Sequence, residues 1–485
     1  MAALLALLLC WIPAAAEADA AISAQVTPNT FGQALPSGFV GMSAEYQALQ
    51  AYTGRDPAVV DPVLVRLLRA LAPGQAPVLR VGGDSTDHTW LPVRHVKATP
   101  GVYYKLTKNW LATTRSLTNV LHAQLILGVN LAANRPAFAA AEARAFLSRI
   151  GRRHISAFEI GNEPDLYALF VYYHDRKGRH HHARPRNYDL GAFIKEFSRW
   201  RAALPTGPVA GPAFAGLDWM KGLSQFLNAE PHLALVPFHR YALRACETDP
   251  TKPDYPTIPA LLSDASSSGL AQQVAPYVVQ THGHGIPFRL DELNSAACRG
   301  KRGVSDTFAS ALWALDALFN LASVGVDGVN IHTLPHAAYE LFTVSHTGRG
   351  WHAFVHPEYY GLMAFAQMFP PGARLLSVNA PAGQVKVWAT QGLDGHVRVA
   401  VINKDPNNGA QVQLQLPGAQ TSAIARVLIA PTIGSSSGVV LGGQSFGPDT
   451  TTGQLSGSPQ STTVNSAGGN YTVSVPGGSA VLLTK

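Results

Sequence analysis

Two glutamates stand directly after short apolar segments of the chain, where a charged side chain would otherwise be costly. Glu163 follows the segment 158–160 within an Asn-Glu-Pro string, and Glu292 follows the segment 288–290. Two facing carboxyl groups can hydrolyse a glycosidic bond, because one protonates the leaving oxygen while the other attacks the anomeric carbon or activates water. A lone glutamate at a strand end is more often a helix cap or an ion-pair partner. The Asn-Glu-Pro context and the second glutamate favour the catalytic interpretation.

Between about residues 36 and 370, short apolar segments alternate with amphipathic helices, which is typical of a parallel sheet. Eight strands are predicted, beginning at Phe39, Val78, Leu125, Ala157, Val209, Ala234, Ile286 and Val326. Eight strand–helix units make a closed (β/α)8 barrel, whose functional side chains lie at the carboxyl ends of the strands. Glu163 and Glu292 follow the fourth and seventh strands, so we expect them to face each other across the barrel mouth. A carboxyl separation of ~5–5.5 Å would imply hydrolysis with retention.

Beyond about residue 371, Val-rich alternating segments are separated by Gly, Ser, Thr and Pro. This pattern predicts an antiparallel β-sandwich over residues 371–485. Residues 21–35 contain a strand-like segment before the barrel, which we expect to join the sandwich. The predicted fold is therefore an α/β chain, with a (β/α)8 barrel over residues 36–370 and a discontinuous C-terminal sandwich.

Residues 1–20 form an apolar run followed by small residues, which resembles a signal peptide with cleavage between about Ala16 and Ala20. The usual basic start is missing, and a buried N-terminal helix is the alternative. No later apolar run reaches the ~18 residues that a membrane span needs. We therefore expect a secreted or periplasmic protein without a membrane segment after cleavage.

The chain carries a net charge of +7, and 47% of its residues are hydrophobic while 14% are charged. That composition allows a large core and argues against disorder. A basic protein favours anionic partners, and the absence of a nucleic-acid-binding motif makes an acidic saccharide a better candidate than a nucleic acid. The basic segment 175–186 is either a solvated loop or an anion-contacting loop beside the site. Its three adjacent histidines do not predict a metal site, because neighbouring loop residues rarely aim at one point.

The string Phe158–Asp165 resembles glycoside hydrolase family 79, the β-glucuronidases and heparanases of clan A. Further similar stretches are Leu79–Asp87, Phe238–Tyr241, Val304–Ala309 and Leu441–Gly443. The likeness runs from about residue 36 to the C-terminus. It implies a barrel enzyme that hydrolyses β-glucuronides with retention, acts on a glucuronide or acidic oligosaccharide, and needs no metal or organic cofactor.

The resemblance also implies roles for single residues. Glu163 is similar to the family's acid/base, and Glu292 is similar to its nucleophile. Asn162 would bond the sugar 2-hydroxyl, and Glu45 would bond other hydroxyls. Tyr241 stands where a family tyrosine approaches the nucleophile.

The other expected substrate contacts are less specific. Tyr339 is similar to a tyrosine that contacts the glucuronate carboxylate, although it could be an ordinary loop aromatic. Gly83 and Asp84 belong to the strand-two signature, and His239 precedes Tyr241 by two residues. The stretch 295–300 departs from the family's aromatic and glycine-rich run, so Arg299 either supplies charge there or is merely solvated.

Cys246 and Cys298 remain if a signal peptide carries Cys10 away. An even pair in an exported protein can form one bridge. Loops after the sixth and seventh strands would lie side by side, so we predict a disulfide between them. Two buried free thiols are the alternative.

Three other functions remain open on the sequence. An endo-acting, heparanase-like enzyme for heparan sulfate is favoured by the basic segment. Another clan A glycosidase would carry the same two carboxyls. A catalytically inactive carbohydrate-binding protein would not need either carboxyl.

Overall fold

The computed structural model describes residues 21–92, 97–348, 350–418 and 421–485, so the predicted signal peptide lies outside the described residues. Its strands, in chain order, are β1 (Ile22–Phe31), β2 (Val40–Glu45), β3 (Val78–Gly82), β4 (Thr89–Trp90), β5 (Tyr104–Lys105), β6 (Gln124–Val129), β7 (Ile155–Ile160), β8 (Val171–His174), β9 (His180–His182), β10 (Val209–Ala210), β11 (Val236–Arg244), β12 (Phe288–Ala297), β13 (Gly328–Thr333), β14 (Phe342–Thr347), β15 (Gly350–Val355), β16 (Arg374–Asn379), β17 (Val385–Gln391), β18 (Val397–Asn403), β19 (Ala410–Gln415), β20 (Ala423–Ile429), β21 (Val440–Leu441), β22 (Thr462–Val464), β23 (Asn470–Val475) and β24 (Ser479–Thr484).

The helices connect the barrel strands and cover the outside of the barrel. They are α1 (Leu49–Thr53), α2 (Pro62–Leu71), α3 (Ser85–His88), α4 (Lys108–Leu121), α5 (Pro136–Ala145), α6 (Leu190–Ala203), α7 (Leu217–Met220), α8 (Leu223–Ala229), α9 (Ile258–Leu262), α10 (Ser268–Gly283), α11 (Phe308–Ser323) and α12 (Pro357–Met368). A π-helical turn, Phe146–Gly151, extends α5. Local signals explain where several begin: Asp61 accepts a hydrogen bond from the Val63 amide at 2.8 Å, with proline at the first position of α2.

Eight parallel strands form one sheet in the order β10-β7-β6-β3-β2-β13-β12-β11. Backbone hydrogen bonds from Gly211 to Leu235 (3.3 Å) and from His239 to Phe214 (2.9 Å) join the two edges. The sheet is therefore closed. The predicted fold class, a (β/α)8 barrel followed by an antiparallel domain, is confirmed.

The sixth and seventh barrel strands differ from their predicted positions. The sequence suggested 234–236 and 286–290, whereas β11 runs over Val236–Arg244 and β12 over Phe288–Ala297. Polar residues of both strands, among them His239, Tyr241 and Glu292, interrupt the apolar pattern, but inside the barrel they hydrogen-bond other polar side chains. Glu292 consequently lies within β12 and not after it.

A β-bulge in β12 explains how two successive acidic residues reach the same place. The pairing with β11 skips one residue between Pro237/Arg289 and His239/Glu292, and the pairing with β13 shifts over the same stretch. Successive residues of a regular strand point to opposite faces, and a bulge changes that alternation. Asp291 and Glu292 are both buried and both approach Arg80.

The second domain is a ten-stranded sheet whose main path is β21-β20-β24-β18-β17-β16-β1-β19-β23, with β22 beside β20. The N-terminal strand β1 lies between β16, to which it is antiparallel, and β19, to which it is parallel. Apolar residues from nearly all of these strands share one core, so the sheet curls around it.

Successive residues of β18 and β24 pack alternately into two different hydrophobic cores. Val399 and Val401 point into the core of the second domain, whereas Ala400 and Ile402 pack into the barrel core. The second domain therefore buttresses the outside of the barrel. Among the helices in the described ranges, none is long and apolar enough to cross a membrane.

Candidate active site

A buried arginine organises the mouth of the barrel. Arg80, on β3, has no exposed surface, and its guanidinium donates to Glu159 Oε1 at 2.6 Å and to Asn162 Oδ1 at 2.9 Å. It also donates to Ser43 Oγ at 3.3 Å and to Glu292 Oε2. A buried charge is stable only when paired and hydrogen-bonded. Arg80 thus holds side chains from three other barrel strands or their ends, β2, β7 and β12, around one point.

Glu163 stands just beyond β7 in an unusual backbone conformation. Its φ is +50°, which is uncommon for a residue other than glycine, and its amide donates to Ala213 O at 3.0 Å. The side chain is half-buried, and its Oε1 lies 3.0 Å from His239 Nδ1. Such local strain often accompanies a functional site. The backbone and His239 together aim the carboxyl into the mouth.

Glu292 is held from three sides. The Tyr241 hydroxyl donates to its Oε1 at 2.7 Å, and Arg80 donates to its Oε2. His332, on β13, lies 3.8 Å from the same Oε2. These contacts bind the ionised form of the carboxyl and keep it in one orientation.

The carboxyls of Glu163 and Glu292 lie close together. One oxygen of each, with a nitrogen of His239, lies within 4.8 Å of the others. Retaining glycosidases hold their carboxyls ~5–5.5 Å apart, whereas inverting ones need ~6.5–9.5 Å to admit a water molecule. The separation fits direct attack on a sugar.

The surroundings push the two pKa values apart. Burial raises the pKa of Glu163 to about 7, with the charges of Glu292 and Asp84 adding to it and the His239 hydrogen bond opposing it. Burial would also raise the pKa of Glu292, but His332, His239 and Arg80 outweigh it and hold that pKa well below its usual value. Near neutral pH one carboxyl is therefore an acid and the other an anion.

The ends of β2, β3 and β7 carry four further expected substrate contacts: Glu45, Gly83, Asp84 and Asn162. The Glu45 carboxylate accepts from the amides of Asp84 (3.2 Å) and Ser85 (2.8 Å). A side chain on Gly83, whose φ is +72°, would lie 2.4 Å from Glu45, so only glycine allows this approach. Asn162 Nδ2 lies 3.4 Å from Asp84 Oδ1. Asp84 itself is exposed in the mouth.

Arg299 and Tyr339 lie on the loops that follow β12 and β13. The two loops are in contact, because the Ala338 amide donates to Arg299 O at 2.8 Å. Tyr339 is buried, with ring centroids 6.2 Å from Tyr241 and 5.9 Å from His332. Arg299 is exposed, and its guanidinium donates to Pro335 O at 3.2 Å. The structure thus brings Tyr339 beside Tyr241 and His332, which both lie next to Glu292, and turns Arg299 toward a loop carbonyl.

Cys246 and Cys298 are joined by a disulfide, with Cα atoms 5.8 Å apart. Cys298 comes directly after β12 and Cys246 two residues after β11, and Ala245 donates to Ala297 O at 3.1 Å. The bridge ties the loop of Arg299 to the neighbouring strand end.

Among the residues that the structure describes, two groups of side chains are close enough to hold an ion: Glu159, His239 and Asp291, and Glu163, His239 and Glu292. Arg80 already donates to one carboxyl in each group. The guanidinium therefore supplies the positive charge that these carboxyls need.

Sequence reasoning gave no role to four residues of the site: Arg80, Glu159, Asp291 and His332. Arg80 and Glu159 each interrupt an apolar strand, which is a signal, because a charge in a buried strand needs a partner. The inward position of Asp291 depends on the β-bulge in β12, which leaves no signal in the sequence. His332 looks in sequence like the end of an ordinary strand.

The basic segment 175–186 lies partly in a hairpin of β8 and β9 that follows Glu163. Asp175 accepts from Arg179 Nε at 2.7 Å and lies 3.2 Å from His181. The other basic side chains at its tip, Arg176 and Lys177, are exposed. The hairpin is a charged projection at the rim of the barrel.

Comparison with known proteins finds similarity to glycoside hydrolases. Residues 387–482 match the glycosyl hydrolase family 79 C-terminal beta domain, which confirms the resemblance stated above. A β-glucuronidase of Aspergillus niger is 27% identical over 274 residues, covering 51% of this chain and 47% of that protein. The alignment thus spans about half the length of this curated relative.

Solved structures share the fold. A 4-O-α-L-rhamnosyl-β-D-glucuronidase from Fusarium oxysporum superposes with a TM-score of 0.71 at 18% identity, over 96% of this chain and 100% of its own. A family 51 arabinofuranosidase from Xanthomonas axonopodis pv. citri gives 0.69 at 16% identity, over 96% and 99%. At these identities the likeness concerns the architecture alone.

Proposed function

We propose that this chain, whose second domain carries the C-terminal β domain of glycoside hydrolase family 79, is a retaining β-glucuronidase. Glu163 is the acid/base and Glu292 is the nucleophile. The observation that carries the proposal is the pair of carboxyls within 4.8 Å, one with its pKa raised and the other with its pKa lowered. The β-glucuronidase relative supports the substrate class.

The first step breaks the glycosidic bond. Glu292, held by Tyr241 and Arg80, attacks the anomeric carbon, while Glu163 gives its proton to the leaving oxygen. This forms a glycosyl ester on Glu292 and releases the aglycone. In the second step the ionised Glu163 takes a proton from water, which attacks the anomeric carbon and frees Glu292.

The charges in the site allow Glu163 to change roles. Its pKa is raised in part by the negative charge of Glu292. That charge disappears when Glu292 becomes an ester, so the pKa of Glu163 falls in the intermediate. A lower pKa favours the carboxylate that the second step needs as a base.

The preference for a uronic acid is part of the proposal. Tyr339, beside Tyr241 and His332, is a candidate donor to the glucuronate carboxylate, and its place near the nucleophile supports this role. A site built for a carboxylate discriminates against a neutral sugar, which leaves its donors unpaired.

The deciding experiment compares 4-nitrophenyl β-glucuronide with 4-nitrophenyl β-glucoside and follows the released sugar by proton NMR. We expect faster hydrolysis of the glucuronide and β-glucuronic acid as the first product. Initial release of the α-anomer would contradict retention. Equal kcat/KM for both substrates would contradict the uronate preference.

The basic hairpin favours a second candidate, an endo-acting enzyme on an acidic polysaccharide such as heparan sulfate. Arg176 and Lys177 are exposed on the loop that follows Glu163. Because Glu163 protonates the leaving group, this loop would lie on the leaving-group side of the site. Fragmentation of the polysaccharide to mid-sized oligosaccharides would support this candidate. Release of single glucuronic acid units alone would exclude it.

We also propose that the protein is exported. The disulfide supports this, because such bonds persist in oxidising compartments. N-terminal sequencing of the mature protein should find a start near residue 21, after cleavage between about Ala16 and Ala20. A mature protein that retains residues 1–20 would contradict the proposal.

A further inference from the structure

One buried carboxylate joins the loops that follow three strands of the barrel. Asp87, in α3 just after β3, is 5% exposed. Its Oδ1 accepts hydrogen bonds from the amides of Leu131 and Ala132, both at 3.0 Å, just after β6. Its Oδ2 accepts from the Asn162 amide at 3.2 Å and from the Tyr167 hydroxyl at 2.6 Å, both on the turn after β7. Three of these four donors are backbone amides, so the site requires an accepting oxygen on each side.

The turn that Asp87 holds carries Asn162 and Glu163. The residues on either side of Asn162 have a left-handed backbone, with φ of +79° at Gly161 and +50° at Glu163. Such a conformation at a residue with a side chain costs free energy and persists only where the surrounding contacts enforce it. Asp87 accepts from the Asn162 amide, and Ala213 O accepts from the Glu163 amide at 3.0 Å. The direction of the Glu163 side chain therefore depends in part on a carboxylate outside the reaction centre.

The partners of Asp87 after β6 are fixed from their other side as well. The carbonyls of Leu131 and Ala132 accept from the Arg184 guanidinium at 2.8 and 3.0 Å. Arg184 also donates to both carboxylate oxygens of Glu196, each at 2.9 Å, and both of these residues are buried. A paired and buried guanidinium of this kind holds one geometry. Asp87 thus links the turn after β7 to a segment that is itself anchored.

We infer that Asp87 is a positioning residue: through the Asn162 amide, it sets the direction in which the Glu163 carboxyl meets the leaving oxygen. The inference rests on the proposed function, in which Glu163 is the general acid. A general acid acts only within hydrogen-bond reach of its target, ~2.6–3.2 Å between heavy atoms. A displaced Glu163 would still admit the substrate but would protonate the leaving oxygen poorly. The effect of losing Asp87 should therefore depend on how much the leaving group needs a proton.

D87N tests this inference with two substrates, an alkyl β-glucuronide and 4-nitrophenyl β-glucuronide. The carboxamide has nearly the same shape but only one accepting oxygen, so in either orientation it breaks the link between the loop after β6 and the turn after β7. We expect kcat/KM, which reports the step that forms the glycosyl ester, to fall by about 100-fold for the alkyl compound. For the 4-nitrophenyl compound, whose leaving group needs little protonation, the fall should be less than about tenfold.

D61A is the matched control for the loss of a buried carboxylate that binds a backbone amide. Asp61 is fully buried, and its Oδ1 accepts from the Val63 amide at the start of α2 at 2.8 Å. D61A should lower the urea midpoint, because it removes the helix cap. It should leave the ratio of kcat/KM between the two glucuronides unchanged, which separates a loss of stability from a loss of positioning.

Equal fold losses for the two glucuronides in D87N would mean that Asp87 acts on the fold alone and would overturn the inference. An unchanged kcat/KM for the alkyl compound in D87N, or the same change of ratio in D61A, would overturn it too. A wild-type protein that hydrolyses neither glucuronide would refute the proposed function instead.

If D87N does not fold, Y167F decides, because it removes one donor to the same Oδ2 of Asp87. Y167F should lower kcat/KM for the alkyl compound more than for the 4-nitrophenyl compound. An equal loss for both compounds, or no loss for either, refutes the inference.

Discussion

At the scale of single residues, the proposed mechanism gives Glu163 and Glu292 different chemical tasks. E292A removes the atom that forms the glycosyl ester, so hydrolysis should fall to the background rate. E163A removes general acid/base catalysis, which contributes roughly 10²–10⁴-fold. Azide can enter the space left by Glu163 and attack the ester, so it should partly restore turnover of a substrate with a good leaving group.

A buried glutamate outside the centre provides the control for this pair. Glu142 is buried and accepts from the Asn130 amide at 3.1 Å. E142Q should keep kcat near the wild-type value. Wild-type-like kcat for E292A would contradict the assignment of the nucleophile.

The pH dependence follows from the raised pKa of Glu163. The group must be protonated to act as an acid, and its pKa is about 7, so kcat/KM should fall as the pH rises through about 7. Glu292 must be ionised, and its lowered pKa keeps it so in acidic solution. The fall should be steep for an alkyl glucuronide and shallow for the 4-nitrophenyl compound, whose leaving group needs little protonation. A flat profile for the alkyl glucuronide between about pH 5 and 9 would contradict this role.

A second pair of carboxyls, beneath the reaction centre, shares a proton on our interpretation. Glu159 Oε2 and both oxygens of Asp291 are buried and have no hydrogen-bond partner among the described residues. The two carboxyls lie within 4.8 Å of each other and of His239. Buried oxygens without donors are costly, and one proton shared between two of these three oxygens reduces that cost. Burial raises the pKa of Glu159 well above its usual value despite Arg80, which agrees with a protonated pair.

The matched variants at Glu159 test the shared proton. E159Q keeps an acceptor for Arg80 and supplies an N–H donor to Asp291, so kcat/KM should fall less than about tenfold. E159A leaves both neighbours unpaired, and the loss should exceed about 100-fold, or ~3 kcal/mol. Equal losses in the two variants would mean that Arg80 requires a full negative charge at Glu159.

Glu163 and Glu292, the proposed catalytic pair, could be found in the sequence because each comes shortly after a recognisable apolar segment. The side chains that set their pKa values could not be placed in this way. Arg80 and His332 approach Glu292 only because the barrel closes and brings distant strands together. A sequence pattern gives the type and order of strands but not which interior side chains meet.

At the scale of elements, the predictions were limited by strand ends. The pattern located all eight barrel strands, but it ended the seventh at residue 290, seven residues before β12 ends. Hydrophobic periodicity treats polar residues as loop, and here they face a polar cluster inside the barrel. The bulge at Asp291 and Glu292 depends on pairing with both neighbouring strands, which no local pattern contains.

The disulfide between the ends of β11 and β12 is expected to stabilise this edge of the site. It closes a loop with a sequence separation of 52, worth about 3–4 kcal/mol in the chain-entropy model. C246A/C298A should therefore unfold at a lower urea concentration than the wild type. It should also raise KM for the glucuronide, because the loop of Arg299, whose carbonyl accepts from the Ala338 amide next to Tyr339, loses an anchor. An identical urea midpoint for the variant and the wild type would contradict a stabilising role.

At the scale of the whole molecule, the change from helical to β pattern near residue 371 predicted two domains. The strand-like segment at residues 21–35 contains β1, which lies in the sheet of the second domain. The extent of contact between the domains could not be predicted. It depends on the outer face of β18 and β24, whose apolar residues look in sequence like those of any alternating strand.

One buried ion pair joins the two domains. Lys404 Nζ lies 2.5 Å from Asp316 Oδ2 on α11, and Trp388 Nε1 donates to Asp316 Oδ1 at 2.8 Å. Both charged residues are almost completely buried. Removing one partner of a buried pair leaves an unpaired charge and costs roughly 3–5 kcal/mol. K404M should therefore lower the urea midpoint and separate the unfolding of the two domains into two transitions, followed by tryptophan fluorescence.

A second pair at the same boundary provides the control. Lys386 Nζ lies 2.7 Å from Asp264 Oδ1, but the Asp264 side chain is 66% exposed. An exposed ion pair contributes about 0–1 kcal/mol, so K386M should unfold almost as the wild type does. If K404M and K386M lower the urea midpoint equally, burial does not make the Lys404–Asp316 ion pair stronger than the Lys386–Asp264 pair. If only K404M does, the barrel holds its shape partly because the second domain brings Lys404 to Asp316.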